Sequence, residues 1–148
     1  MRHAIAIRPA TADDIAGISH VRFSVRENQS TPEALAALGI TPESVAASFA
    51  NESRGWVAED DARIVAFSIA DREKSTIFAL FVLPEYERRG LGTELLARAV
   101  NWLRDHEADM IWLTTGSGTR AARFYERAGW TRTGADGSGE LRFELRRS

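Results

Sequence analysis

The run Thr76-Ile77-Phe78-Ala79-Leu80-Phe81-Val82-Leu83, stopped by Pro84, constrains this chain more than any other segment. It is too short for a membrane span and too apolar for a surface strand, so it predicts a strand buried on both faces of a sheet. Beyond Pro84 comes the loop Glu85-Tyr86-Glu87-Arg88-Arg89-Gly90, and then Leu91, Leu95, Leu96, Ala99, Val100 and Leu103 recur along one helical face. A strand that passes through a glycine-containing loop into a helix forms a ready anion site. The first helical N–H groups lack partners, the macrodipole adds positive potential, and Gly90 and Gly92 allow close approach. Arg88 and Arg89 add charge. Taken alone, two glycines before a helix equally describe a plain turn. A P-loop is excluded because Gly-x-x-x-x-Gly-Lys-Ser/Thr does not occur, and a dinucleotide fingerprint would need glycine at Leu95.

The remaining segments alternate strands with helices. Ala4 to Arg8, ending at Pro9, reads as an edge or first strand. Thr11 with Asp14 forms a capping box, and Ile15, Ile18, Val21 and Val25 extend a helix to about Val25. Thr31-Pro32 and Thr41-Pro42 each set a capping hydroxyl before a proline, which predicts short helices carrying Leu35 and Leu38, then Val45 and Phe49. Trp56 to Glu59 and Arg63 to Asp71 read as a hairpin across Asp60-Asp61, with Val65, Phe67 and Ile69 on one face. Met110 to Thr114 is a further strand, Thr119 to Ala128 a helix closed by Gly129, and Trp130 to Thr133 with Leu141 to Leu145 a closing strand pair. The expected organisation is one α/β domain over residues 1–148.

Composition removes several functions. Cysteine is absent, so there is no disulfide, thiolate zinc site or cysteine-bound acyl intermediate. His3, His20 and His106 lack ligand spacing, so no metal is expected. A formal charge of −2 gives no sequence-wide basic field for nucleic acid. No run has the length of a membrane span and no signal-peptide core opens the chain, so the expected compartment is the cytoplasm.

A second segment, Gly118-Thr119-Arg120-Ala121-Ala122-Arg123-Phe124-Tyr125-Glu126-Arg127-Ala128-Gly129-Trp130, follows the next strand. With the loop at 87–92 it makes the chain resemble the GCN5-related N-acetyltransferase (GNAT) superfamily. That family carries Arg/Gln-x-x-Gly-x-Gly/Ala after its fourth strand and Asn-x-x-Ala-x-x-Phe-Tyr-x-x-x-Gly-Phe after its fifth. The resemblance implies a mixed central sheet of about six to seven strands, helices on both faces, and a splay between strands 4 and 5 that holds acetyl-CoA. It assigns the cofactor to Phe81, Val82, Leu83, Arg88, Arg89, Gly90, Leu91, Gly92, Thr93, Thr119, Ala122 and Tyr125. Three positions depart from the pattern. Glu87 replaces Arg or Gln, Gly118 replaces the asparagine, and Thr76 stands where many members place a basic glutamate.

The implied activity is acetyl transfer to a primary amine on a small molecule, amino acid or peptide N-terminus, by direct attack in a ternary complex. A non-catalytic acyl-CoA sensor on the same fold is the alternative. Holding a lysine-like amine neutral at pH 7 costs ~4.6 kcal/mol, which a base or desolvation must supply. Tyr125 matches the family's acid, and a phenol suits protonation of a thiolate. A backbone N–H near Phe81 or Val82 would polarise the thioester carbonyl. Glu27, Glu59 and Glu140 are all open as the base. Arg22 and Arg26 share a helix face and could clasp an acceptor carboxylate, with Glu27, Asn28, Thr115 and Glu140 completing the acceptor site. Trp56, Trp102, Trp112 and Phe124 read as packing. Many relatives are dimers, and Leu141 to Leu145 is a candidate interface.

Overall fold

The computed structural model describes residues 5–25, 31–116, 118–135 and 140–147. Seven strands form one mixed sheet in the order β1-β2-β3-β4-β5-β7-β6. The strands are β1 (Ala6–Pro9), β2 (Ser53–Asp60), β3 (Arg63–Asp71), β4 (Thr76–Val82), β5 (Met110–Gly116), β6 (Thr131–Ala135) and β7 (Glu140–Arg146). Five helices accompany them: α1 (Ile15–Phe23), α2 (Pro32–Ala37), α3 (Pro42–Ser48), α4 (Leu91–Asp105) and α5 (Arg120–Arg127). Among the described residues no helix is long and apolar enough to cross a membrane, and no three His, Cys, Asp or Glu side chains cluster as metal ligands.

The capping signals produce the helix starts. Thr31, Thr41 and Thr119 each accept a hydrogen bond from the third residue on, and Thr11 and Asp14 close their box. Asp14 does more than cap. Arg8 clasps it with two bonds of 2.9 Å and reaches Glu59 at 3.2 Å, which ties β1 and β2 to the start of α1. Helix α1 stops at Phe23 rather than Val25, because the Ser24 hydroxyl donates to the His20 carbonyl at 2.6 Å and turns the chain. All six apolar positions of α4 are buried, and the hydroxyl of Ser68 on β3 donates to the Leu95 carbonyl. Helices α2 and α3 have no buried residue.

The burial of the two central strands is exchanged relative to expectation. On β3, expected to show one apolar face, Val65 to Ala70 are all buried. On β4, expected to be buried on both faces, only Thr76 and Ile77 are buried, and Phe78 is 44% exposed. The reason is a split in the sheet. Strand β4 pairs antiparallel with β3 along its length but meets β5 in parallel at a single register pair, Thr76 with Trp112. The Thr76 hydroxyl donates to the Trp112 carbonyl at 2.6 Å, and the Trp112 N–H donates to the Ser75 carbonyl. Beyond that pin the strands diverge.

Thr76→Val keeps the shape and removes the hydroxyl, so it should lower stability by about 1–2 kcal/mol in urea titrations. Arg8 holds the Asp14 carboxyl below its ordinary range, so the folded state favours the ionised form. That contribution is present above the unfolded pKa and disappears as pH falls through the folded one. Asp14→Asn should therefore be less stable at neutral pH, with the gap to wild type closing as the pH falls below the ordinary carboxylate range.

Candidate functional site

Two cavities occupy the split. The first, of about 810 Å³, lies under α1, α2 and α3 and is walled by Ile15, Ile18, Phe23, Leu35, Ile40, Val45, Phe67 and Phe78. Its polar groups include Ser19, Arg22, Thr41, Glu43, Thr115 and Glu140. The second, of about 1210 Å³, runs along Leu80 to Glu87, past Arg88, Gly90, Leu91, Gly92 and Thr93, to Arg120, Arg123 and Arg127 on α5. Leu80, Phe81, Ala121 and Tyr125 belong to the walls of both.

The second cavity has three features suited to an anion. Gly90 opens α4 without a side-chain cap, so no side chain of the N-cap covers the first amides. Gly90 has φ +82°, which turns the loop into the helix, and Arg88 adopts φ +64° two residues earlier. Arginines line the wall on both sides. The loop itself is anchored by Tyr86, whose hydroxyl donates to Asp60 while Arg89 stacks on its ring at 4.8 Å. Arg89 is thereby outside the cavity wall, whereas Arg88 is in it.

Tyr125 sits where the cavities join. Its ring is buried against Phe124 at 5.2 Å, Trp130 at 5.7 Å and Phe143 at 6.0 Å. Burial pushes the phenol well above its ordinary pKa. Among the described residues the hydroxyl has no hydrogen-bond partner and no buried side-chain N or O is left unsatisfied, so the hydroxyl opens onto the cavities.

The other predicted residues divide. Phe81, Val82, Leu83, Arg88, Gly90, Leu91, Gly92 and Thr93 line the second cavity. Thr119 does not, because its hydroxyl accepts from the Ala122 N–H and donates to the Gly116 carbonyl, and Ala122 faces the core. Arg22, Thr115 and Glu140 line the first cavity. The Arg22 guanidinium lies 4.3 Å over the Phe81 ring, and burial lowers its pKa from the ordinary arginine value. Arg26, Glu27 and Asn28 lie outside the described residues. Glu59 is engaged with Arg8 on the β1 side and lines neither cavity. Trp56 is core, in edge contact with Trp102 at 6.1 Å. Sequence reasoning missed Glu43, Ala121 and the α5 arginines. For Arg120, Arg123 and Arg127 the signal was present in their spacing, which brings all three toward one side of the helix.

Comparison with known proteins agrees with this geometry. The sequence model of the Acetyltransferase (GNAT) family matches residues 18–130, and the chain belongs to that family. An uncharacterized N-acetyltransferase of Archaeoglobus fulgidus is 36% identical over 75 residues, 49% of this chain and 51% of that protein. The chain thus matches about half the length of that curated relative. The PaiA N-acetyltransferase of Thermoplasma acidophilum, solved with coenzyme A, superposes with a TM-score of 0.80 at 16% identity, covering 97% of this chain and 99% of that one. The ribosomal-protein-S18-alanine N-acetyltransferase of Escherichia coli gives 0.72 at 18% identity, covering 97% and 94%. At these identities the superpositions establish the fold.

The two loop glycines should respond differently. Gly90→Ala forces a side chain into the left-handed region and should cost about 1–2 kcal/mol in urea unfolding. At Gly92 an added Cβ meets only Phe124 and Val82 at 3.7–4.0 Å, so Gly92→Ala should be neutral or up to ~1 kcal/mol stabilising.

Proposed function

We propose that this protein transfers an acetyl group from acetyl-CoA to a primary amine, by direct attack with both substrates bound. The observation that carries this reading is that Tyr125 belongs to both cavities, so one hydroxyl can serve donor and acceptor together. The second cavity suits the donor, since the uncapped α4 amides and the arginines match its phosphates. When bound, acetyl-CoA would supply the activated acyl group, with coenzyme A as the thiolate leaving group once the thioester C–S bond breaks.

The chain's own groups then have assignable work. The Leu83 N–H donates to Val65 on β3, so strand alternation turns the Val82 N–H toward the gap, where β5 offers no ladder partner. That N–H is suited to the thioester carbonyl oxygen, where negative charge develops. The Tyr125 hydroxyl holds its proton at working pH and gives it to the departing sulfur. Its raised pKa makes it a weaker acid than a solvated phenol, and desolvation in the same groove raises the basicity of the thiolate to match. Glu140 and Glu43 are the carboxylates in the acceptor wall, positioned to take the ammonium proton directly or through water. The apolar walls favour an amine carried on an apolar body, because a second ammonium there would be buried against Ile18, Phe67 and Ile69.

Thiol release from acetyl-CoA across a panel of amines tests the reading. Wild type should show amine-dependent release, and Tyr125→Phe should lower kcat by about 10²-fold with little change in KM for acetyl-CoA. Because Tyr125 stays protonated, no fall in rate from its ionisation should appear below about pH 10. CoA binding without turnover on any acceptor would favour the sensor alternative.

A further inference from the structure

Glu87 puts a negative charge into a loop that should receive phosphates, and the structure shows how that charge is used. The Glu87 carboxylate accepts a hydrogen bond from Nη1 of Arg120, the first residue of α5. The two side chains stand on opposite banks of the second cavity. Glu87 precedes the α4 N-terminus, and Arg120 follows β5. The banks belong to the two halves of the split sheet, which β4 and β5 join only at Thr76 and Trp112. Both side chains are about one-third exposed, at 36% for Arg120 and 35% for Glu87, and a pair that wet contributes little to folding. Its geometry therefore points to another role.

We propose that Arg120 is the cation that meets the pyrophosphate of coenzyme A, and that Glu87 is a positioning residue holding its guanidinium across the groove toward the α4 N-terminus. The inference rests on the acetyl-CoA reading above. A guanidinium presents five N–H donors on a planar fork, so pairing with a carboxylate does not by itself prevent a charge-assisted contact to a phosphate oxygen. The neighbouring arginines are placed differently. Arg89 is stacked on Tyr86 outside the cavity, and Arg123 Nη1 turns back to the Gly118 carbonyl at 3.3 Å. Arg88 lines the wall from the loop itself, on the same bank as Glu87. Arg120 is the cation that the pairing with Glu87 brings to the loop from the far bank. Arg120 thereby offsets the negative charge that Glu87 brings to the loop.

Titration calorimetry with CoA and with dephospho-CoA, which keeps the pyrophosphate and lacks the 3′-phosphate, tests this without needing an acceptor. Arg120→Ala should raise Kd about 10-fold for both ligands and flatten the salt dependence of binding, with the melting temperature unchanged. Glu87→Ala should weaken both ligands about 3-fold or more, and Glu87→Gln should restore most of that, since its amide oxygen still accepts from Arg120. Unchanged affinities in Arg120→Ala would overturn the proposal. So would a loss seen with CoA and not with dephospho-CoA, which would move Arg120 to the 3′-phosphate. Wild type that binds neither ligand would instead sink the acetyl-CoA reading itself.

Discussion

Everything distinctive about this molecule depends on the single point where β4 and β5 touch. The Thr76 hydroxyl and the backbone and indole N–H groups of Trp112 close the wedge, and past that point β4 and β5 no longer pair with each other. An open edge inside a sheet is costly when it faces only apolar side chains, because its amides and carbonyls want partners. Here it faces two cavities and can take a ligand in place of a strand. The position that carries a basic glutamate in many relatives is thus occupied by a residue that fastens the hinge of the wedge. In the proposed reaction the work of a base falls to the carboxylates Glu43 and Glu140 in the wall of the first cavity.

Much of the fold was legible because its signals are local. The α4 stripe, the threonine caps and the proline starts of α2 and α3 each depend on residues within a turn or two. The same holds for the loop from Val82 to Thr93. What the sequence misstated was the burial of β3 and β4, and the reason is instructive. Apolar content reports that a strand avoids water, not whether the neighbouring strand covers it, so exposed Phe78 and the half-buried stretch of β4 from Ala79 to Val82 looked like core. Arg120 and Glu43 were missed because their roles arise from contacts across the split or from the way two short helices roof a cavity. The role of Glu43 leaves no mark at fixed sequence spacing, and the spacing of Arg120 with Arg123 and Arg127 marks a shared helix face but not the contact with Glu87.

Tyr125 shows how burial and chemistry are combined at one residue. Three aromatic rings hold the phenol in place, which fixes the direction of its hydroxyl at the cost of its acidity. A group so placed keeps its proton until a base of comparable strength forms beside it. In the proposed reaction the departing thiolate is such a base. Rigid packing and a raised pKa are then two results of one environment.

The roof over the acceptor cavity has a different character from the rest. Helices α2 and α3 are capped by their own threonines and contribute no buried residue, yet Leu35, Ile40 and Val45 reach the cavity. Substitutions there alter the chamber while leaving the packed centre of the protein alone. Selection can therefore reshape the first cavity with little penalty to folding, whereas the second, built on β4 and α4, is tied to the core and is far less free to drift.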